Sequence, residues 1–350
     1  MSVESMRAVL AKEPGDASQL YNGLAPIPLP KDNELLVKIK CFALNRMDIL
    51  QRQGRYPVPP EASQILGTEL SGIVEKIGSK GARSIITLPY ISLDAILHGP
   101  GDRVFGLNDG GAYAEYGILH EDMAMILPEE VSFQQGAAIP EAWFTAYQVL
   151  HLIGQIRQGD SVLIHAGASG VGIAAIQLAK AAGAKHIFAT AGSERKLAFI
   201  ESIGVTNGIN YKKENFRDKI MEHTDGCGVD LLIDFVGKDY WHPNIDSLAK
   251  DGRIVLVGFL SGRIVENFDL SALLMKRLRV EGTTLRSRSL SYKITLRDEF
   301  YNKIFPRFID EHGTFKVFID REYYWKDIAD AHRYMESNES IGKIVVNVVD

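Results

Sequence analysis

The stretch Val162–Ala184, VLIHAGASGVGIAAIQLAKAAGA, decides how this chain is read. Its run Gly167-Ala168-Ser169-Gly170-Val171-Gly172 is almost G-x-G-x-x-G, with Ser169 where the middle glycine belongs. Three chemistries use a glycine-rich turn between a strand and a helix. A nucleophile elbow needs G-x-S-x-G, but Ser169 is followed by Gly170 and then Val171, so the last glycine is misplaced. A Walker phosphate loop needs Gly-Lys-Ser/Thr, which this stretch lacks. The dinucleotide fingerprint keeps its context: an apolar strand, SVLIHA, precedes the glycines and an alanine-rich amphipathic helix follows within one βαβ unit. In that reading Gly167 permits the tight turn and Gly172 close helix–sheet packing, with Ser169 beside a pyrophosphate at the helix N-terminus. A glycine turn without a ligand is the plain alternative.

The next strand discriminates between cofactors. An NAD-preferring site places Asp or Glu at the end of that strand, about 20 residues past the glycines, for the ribose 2′-hydroxyl. HIFATAGSERKL brings Ala191-Gly192-Ser193 there, followed by Arg195 and Lys196. A missing acid with hydroxyl and cationic donors nearby suits a 2′-phosphate, because charge-assisted bonds to phosphate are strong and a carboxylate would repel it. NADPH is therefore the expected cofactor. Glu194 is the contrary residue and is expected to point away; the plain alternative for Arg195 and Lys196 is a solvated helix face.

Outward from this unit the texture persists, with short apolar strands alternating with helical stretches: HIFATA, SERKLAFIESIG, VDLLIDFV, NIDSLAKDG (helical), RIVLVGF and ALLMKRL. That alternation predicts a doubly wound parallel sheet covered on both faces. Toward the N-terminus, MRAVLA, ELLVKIKCFAL, LSGIVEKIG, DRVFGL and AYAEYGIL are strands punctuated by Pro and Gly, a mostly antiparallel β unit. After Ser289 come a long helix, ITLRDEFYNKIFPRFIDEHG, and a terminal strand, GKIVVNVV, expected to rejoin the first unit. The expected fold is α/β: a Rossmann-type cofactor domain over 135–288 and a mostly antiparallel β catalytic domain made of 1–134 and 289–350. The segment 85–98, IITLPYISLDAILH, exceeds a simple strand connection and is expected to be a surface insertion, with a functional gate as the alternative.

Composition bounds the function. A chain of 350 residues carries roughly two domains and a sizeable core. The net charge of -5 gives no pull toward nucleic acid. No apolar run approaches ~18 residues and the N-terminus has no signal or transit character, so a cytoplasmic protein off the membrane is expected. Cys41 and Cys227 are the only cysteines and the nine histidines are scattered singly, which excludes a disulfide framework and a structural zinc.

Several long motifs in sequence order add a resemblance: ALNRMDILQRQGRYPVPP, ILGTELSGIVEKIG, AAIPEAWFTAYQVLHLIG, GDSVLIHAGASGVGIAAIQLAK, TAGSERKL, INYKKENF and MESNESIGKIVV. Together they resemble the zinc-free quinone oxidoreductases of the medium-chain dehydrogenase/reductase superfamily, the zeta-crystallin-like branch. The resemblance implies a GroES-like catalytic domain. It also makes the departures from the superfamily's alcohol dehydrogenases readable. Those enzymes carry a zinc-ligating cysteine where this chain has Asn45, and Gly-His-Glu where it has Gly67-Thr68-Glu69; the four-cysteine lobe is missing too. Without a Lewis acid such a site is poorly equipped for alcohols and simple ketones, so the hydride would go to a quinone or an activated enone.

By the same resemblance, Asn45 and Tyr56 line the nicotinamide and substrate pocket, where an amide or phenol donor stabilises developing oxyanion charge. Trp143 and Thr145 map to the nicotinamide end, and Ala168, Ser169, Gly170, Val171 and Gly172 to the pyrophosphate. Gly192, Ser193, Lys196 and Tyr211 fall at the 2′-phosphate. Val236, Gly237, Gly258, Phe259, Leu260, Arg286, Ser287 and Arg288 would close around the ribose and nicotinamide. Plainer roles exist for three of them: helix packing for Trp143, a strand-end cap for Tyr211, a surface charge for Arg288. The implied activity is metal-independent, NADPH-dependent quinone reduction. The alternatives are an enone or enoyl (alkenal) reductase and a non-enzymatic structural or RNA-binding protein; the acidic balance and lack of a basic stripe speak against the last. The final strands of the parallel sheet, RIVLVGF and RVEGTTL, would leave an apolar edge, so a homodimer joining two sheets is expected.

Overall fold

The computed structural model describes residues 4–60, 62–79, 99–310 and 313–348, and the expected insertion at 85–98 lies outside them. The chain forms two compact units, Met1–Glu141 with Arg286–Asp350, and Ala142–Leu285.

The first unit opens with β1 (Ser5–Ala11) and β2 (Leu20–Pro26), an antiparallel pair. Then come β3 (Glu34–Ala43), α1 (Arg46–Arg52), β4 (Glu69–Ile77), β5 (Arg103–Leu107), β6 (Tyr116–His120) and β7 (Ala124–Ile126). β3 is the organising strand. Leu35, Leu36, Val37, Ile39, Cys41 and Phe42 are all buried, because partner strands flank β3 and core covers both sides, and a register shift against β4 between Ile39 and Cys41 interrupts the simple alternation of faces. α2 (Phe133–Ala137) starts at a reciprocal cap: the Ser132 hydroxyl accepts from the Gln135 N–H and the Gln135 side chain accepts from the Ser132 N–H. α3 (Pro140–Tyr147) follows and carries the chain into the second unit.

The second unit runs β8 (Ser161–Ile164), α4 (Gly170–Ala181), β9 (His186–Ala191), α5 (Glu194–Ile203), β10 (Asn207–Asn210), α6 (Phe216–His223), β11 (Val229–Asp234), α7 (Trp241–Ser247), β12 (Leu248–Leu256), α8 (Ser271–Lys276) and β13 (Arg279–Gly282). All strands are parallel, in the order β10-β9-β8-β11-β12-β13. Leu163, Phe188, Leu232 and Ile254 of the sheet pack with Phe216, Ile220 and Ile245 of the helices, while Val162, Ile164, Ile187, Ile233 and Val255 are buried on the alternate positions, so burying the central strands on both faces accounts for their unbroken apolar runs. The expected helix in NIDSLAKDG stops at Ser247. Leu248 already pairs with Val229, and the ladder shifts register before resuming at Arg253, with Asp251 at φ 62° in the irregular turn between.

The chain then returns to the first unit through α9 (Leu290–Lys303), α10 (Pro306–Ile309), β14 (Ile319–Tyr324), α11 (Ile328–Glu336) and β15 (Lys343–Asn347). The single long helix expected here is two, because Pro306 has no N–H to continue α9 and instead opens α10. β15 pairs antiparallel with β3, completing the path β14-β15-β3-β4-β5-β7, while β6 pairs with β3 off that path. β14 joins β15 in parallel. The fold is thus α/β, a Rossmann-type parallel sheet unit and a mostly antiparallel GroES-like unit.

Candidate functional site

In the parallel-sheet unit the glycine-rich turn departs from its expected mechanics in one respect. The turn was expected to rely on Gly167, but the residue with a left-handed backbone is Ala166, at φ 50°. What Gly167 supplies is space: a Cβ there would stand 2.9 Å from the Ala189 Cβ on β9. At Gly172 a Cβ would lie 2.4 Å from the Ala166 carbonyl oxygen and 2.8 Å from the Gly167 backbone, so the space this glycine keeps clear is against the turn and not against the sheet. Ser169 is the N-cap of α4, its hydroxyl accepting from the Gly172 N–H at 3.0 Å. Beneath the turn, the His165 Nε2–H donates to Asn244 Oδ1 at 2.7 Å, which leaves Nδ1 to accept from the Thr190 hydroxyl at 3.1 Å. Thr190 Oγ1 in turn accepts from the Ala166 N–H at 3.3 Å, helping hold its left-handed backbone. Burial pushes His165 down to about 4, so this ring stays neutral near pH 7.

At the end of β9, Gly192 lies under two side chains from the end of β10: a Cβ at 192 would meet Tyr211 Oη at 2.7 Å and Lys212 Cε at 3.2 Å. Ser193 caps α5, accepting from the Lys196 N–H at 3.4 Å. Glu194 Oε1 accepts from Asn210 Nδ2 and Lys213 Nζ, each at 2.9 Å, so its charge is met by neighbours on the β10 side. Lys212 was not singled out from the sequence. Its signal is the basic pair Lys212-Lys213 directly after Tyr211 at a strand end.

Past β11, the Asp234 carboxylate accepts from the Val236 N–H at 2.7 Å and the Gly237 N–H at 3.2 Å, folding that segment tightly. Gly237 has φ 85°, and its Cβ would be 2.9 Å from Phe259 Cδ1. The Leu260 N–H donates to the Phe235 carbonyl at 3.1 Å, and Phe259 and Leu260 are both more than half exposed. Gly167 to Gly172, Gly192 with Ser193, Tyr211, Val236 with Gly237, and Gly258 to Leu260 therefore all stand just past the carboxyl ends of five neighbouring parallel strands. The strand order reverses between β8 and β11, the topological switch point where open α/β sheets bind ligands. Trp143 and Thr145 are both buried on α3.

The other candidates lie in the first unit. Asn45 sits between β3 and α1, with its backbone N–H, its amide oxygen and one of its two amide hydrogens engaged. Its N–H donates to Asp48 Oδ2 and its Nδ2 to Glu69 Oε1, both at 2.8 Å, while its Oδ1 accepts from Lys343 Nζ at 2.8 Å. Lys343 also donates to Glu69 Oε1 at 2.7 Å and to the Leu44 carbonyl at 2.9 Å. Glu69 Oε2 accepts from the Glu141 N–H at 2.9 Å, and Glu141 Oε2 lies 3.4 Å from the Thr68 hydroxyl. Burial, then the Glu69 charge, pushes Glu141 up to about 8. Asp48 is pushed up to about 6 by burial, against the pull of the Asn45 N–H.

A buried chain of donors supports Asp48. Arg52 can only donate, so at 3.1 Å His332 Nδ1 accepts and Nε2 carries the proton; that N–H donates to Tyr113 Oη at 3.1 Å, and the Tyr113 hydroxyl donates to Asp48 Oδ2 at 3.3 Å. Tyr56 is half-buried, and burial raises its phenol further above the usual range. The guanidinium of Arg286 stands 5.6 Å from the Tyr56 ring and is tied by Gln51 and the Asp109 carbonyl, each at 2.7 Å. The structure thus groups Arg286 with Tyr56. Ser287 is exposed, and the Arg288 guanidinium stands 4.6 Å from the Tyr292 ring. Sequence reasoning missed Lys343 and Glu141, which lie far along the chain from Asn45 and enter the site only through folding.

Comparison with known proteins was made against this geometry. Residues 31–129 match the family "Alcohol dehydrogenase GroES-like domain" and residues 170–299 the family "Zinc-binding dehydrogenase". Quinone oxidoreductase 1 of Escherichia coli K12 is 34% identical over 320 residues, covering 89% of this chain and 90% of that protein. A crystal structure of Escherichia coli quinone oxidoreductase complexed with NADPH superposes with a TM-score of 0.81 at 30% identity, covering 98% of this chain and 100% of that one. The CurK enoyl reductase gives a TM-score of 0.82 at 25% identity, covering 98% and 99%.

The second family name implies zinc, and the donors here do not fit one. The positions in question offer an amide, a hydroxyl and a carboxylate whose oxygen is taken by the Lys343 ammonium. Among the described residues no group of three or more His, Cys, Asp or Glu side chains is placed to hold a metal ion.

Proposed function

Because this chain belongs to the quinone oxidoreductases of the medium-chain dehydrogenase/reductase superfamily, a family of oxidoreductase enzymes, we propose that it reduces a quinone with NADPH and without a metal ion. The observation that carries the reading is the convergence of Gly172, Gly192, Ser193, Tyr211 and Lys212 on neighbouring strand ends, with no acid at the end of β9. The residues suit the cofactor. The close-packed Gly172 brings the N-terminus of α4, with its N–H groups, to where a pyrophosphate is bound in such folds. Ser193, Lys196, Tyr211 and Lys212 would hold the 2′-phosphate, and Glu194, already met by Asn210 and Lys213, does not oppose it.

NADPH, when bound, supplies a hydride. The rest of the task is orientation, exclusion of water and stabilisation of charge on the quinone oxygen. Tyr56 serves as a hydroxyl donor, because its raised pKa keeps the phenol protonated throughout the physiological range. Asn45 offers the remaining N–H of its amide, held at both ends by neighbours.

The likeness to an enoyl reductase favours a second reading, reduction of an activated enone. Turnover of 1,2-naphthoquinone against a 2-alkenal under NADPH separates the two; preference for the alkenal replaces the first reading by the second. As to partners, we take β13 for a dimer edge: it is the last strand of its sheet, and Leu270, Leu274 and Met275 near it are exposed. No described helix is long and apolar enough to cross a membrane.

A further inference from the structure

Lys343 and Glu69 are a buried ion pair that no part of the proposed reaction uses directly. Glu69 is fully buried and Lys343 is 6% exposed. The three donors of the ammonium are spent on the Leu44 carbonyl, Asn45 Oδ1 and Glu69 Oε1, so nothing is left for a substrate. A buried ion pair is seldom retained for stability alone, since an apolar pair of similar volume often serves as well. What this pair does is visible at Asn45, whose amide spans it: oxygen toward the ammonium, nitrogen toward the carboxylate.

We infer that Lys343 and Glu69 form a clamp that fixes the orientation of the Asn45 amide, and that Lys343 is a positioning residue acting on the reaction through Asn45. An ammonium can only donate and a carboxylate can only accept, so the opposite orientation of the amide would set NH₂ against NH₃⁺ and oxygen against oxygen. With one N–H committed to Glu69 and one lone pair to Lys343, exactly the second Nδ2–H remains as a donor in a fixed direction. A donor whose direction is set before the reaction stabilises a developing oxyanion without reorganising. Both clamp residues are anchored independently of the Asn45 side chain: Lys343, at the start of β15, by the Leu44 carbonyl, and Glu69, at the start of β4, by the Glu141 N–H.

The inference rests on the quinone-reduction reading, and a double-mutant cycle separates the two. Steady-state kinetics with NADPH and 1,2-naphthoquinone are measured for wild type, Asn45→Ala, Lys343→Met and the double variant. Because Lys343→Met leaves Glu69 buried without its counter-ion, thermal midpoints are read alongside. Glu69→Gln, which can present either end of its own amide to Asn45, is carried through the same cycle in case Lys343→Met does not fold. The expected result is a fall in kcat of roughly tenfold for Lys343→Met, with the KM for NADPH changed less than about twofold, and no more than about a twofold further fall when Asn45 is already Ala. Lys343→Arg, which keeps the charge, recovers part of kcat. An equal kcat loss in the presence and absence of Asn45, or lowered thermal stability with kcat unchanged, overturns the clamp. Asn45→Ala that reduces the quinone as fast as wild type also overturns the clamp, because Lys343 would have no role to act through; wild-type protein that does not reduce the quinone overturns the functional reading itself.

Discussion

The Ser169 hydroxyl accepts a hydrogen bond from the Gly172 N–H at 3.0 Å, across the first turn of α4. The serine that interrupts the glycine fingerprint is thus a helix cap. Glycine is nearly as good at an N-cap as serine, whereas alanine is poor. Ser169→Gly should therefore cost only a few tenths of a kcal/mol and leave NADPH binding within about twofold, while Ser169→Ala should cost about 1 kcal/mol. Denaturant midpoints and NADPH titration check this. A large loss of NADPH affinity in the glycine variant would show that the hydroxyl serves the cofactor directly.

Gly172 admits no such exchange. A Cβ would lie 2.4 Å from a backbone oxygen, which cannot swing aside as a flexible side chain can. Gly172→Ala should destabilise the protein by about 1–3 kcal/mol, the usual cost of overpacking, and weaken NADPH more than stability alone accounts for because the turn itself must move. Wild-type affinity in this variant would place the cofactor elsewhere.

Lys196 follows the cap of α5 and tests the 2′-phosphate assignment. A charge-assisted bond to phosphate is worth about 1.5–3 kcal/mol, so Lys196→Glu should raise the KM for NADPH by roughly ten- to a hundredfold. The KM for NADH, which lacks that phosphate, should change by less than about threefold. Equal losses for both cofactors would sink the assignment.

The pH dependence of stability should carry the mark of Glu141. In the folded chain burial and the neighbouring Glu69 hold its pKa at about 8, against 4.5 for an ordinary glutamic acid. Below 4.5 both folded and unfolded chains carry the proton. Between 4.5 and 8 only the folded chain does, so the unfolded state gains and stability falls as pH rises through that window. Glu141→Gln, always neutral, lacks this fall. The thermal midpoint of the variant relative to wild type should therefore climb from pH 5 to pH 8, and parallel profiles would show that Glu141 titrates normally.

The fold was legible where local pattern and tertiary role coincide. The βα alternation after Ser161 predicts the parallel sheet because strands buried on both faces must be apolar throughout. β14 escaped notice since its sequence, IDREYY, is charged and its strand lies at an edge. Pro306 was present in the expected long helix, and its missing N–H should have divided that helix. At the site, motif residues such as Gly172 and Gly192 were readable because their constraint is local backbone space. Lys343, Glu141 and the chain from Arg52 through His332 and Tyr113 to Asp48 were not, because their partners meet across long sequence separations. Lys343 sat in a quoted motif, GKIVV, yet nothing in that motif says which carboxylate it meets.

The central claim is metal-independent hydride transfer from NADPH to a quinone, and its most direct test is NADPH oxidation by 1,2-naphthoquinone after exhaustive dialysis against a chelator. The account predicts undiminished turnover, with NADPH preferred over NADH. Loss of turnover on chelation with recovery on adding zinc, or no quinone-dependent oxidation at all, would contradict it.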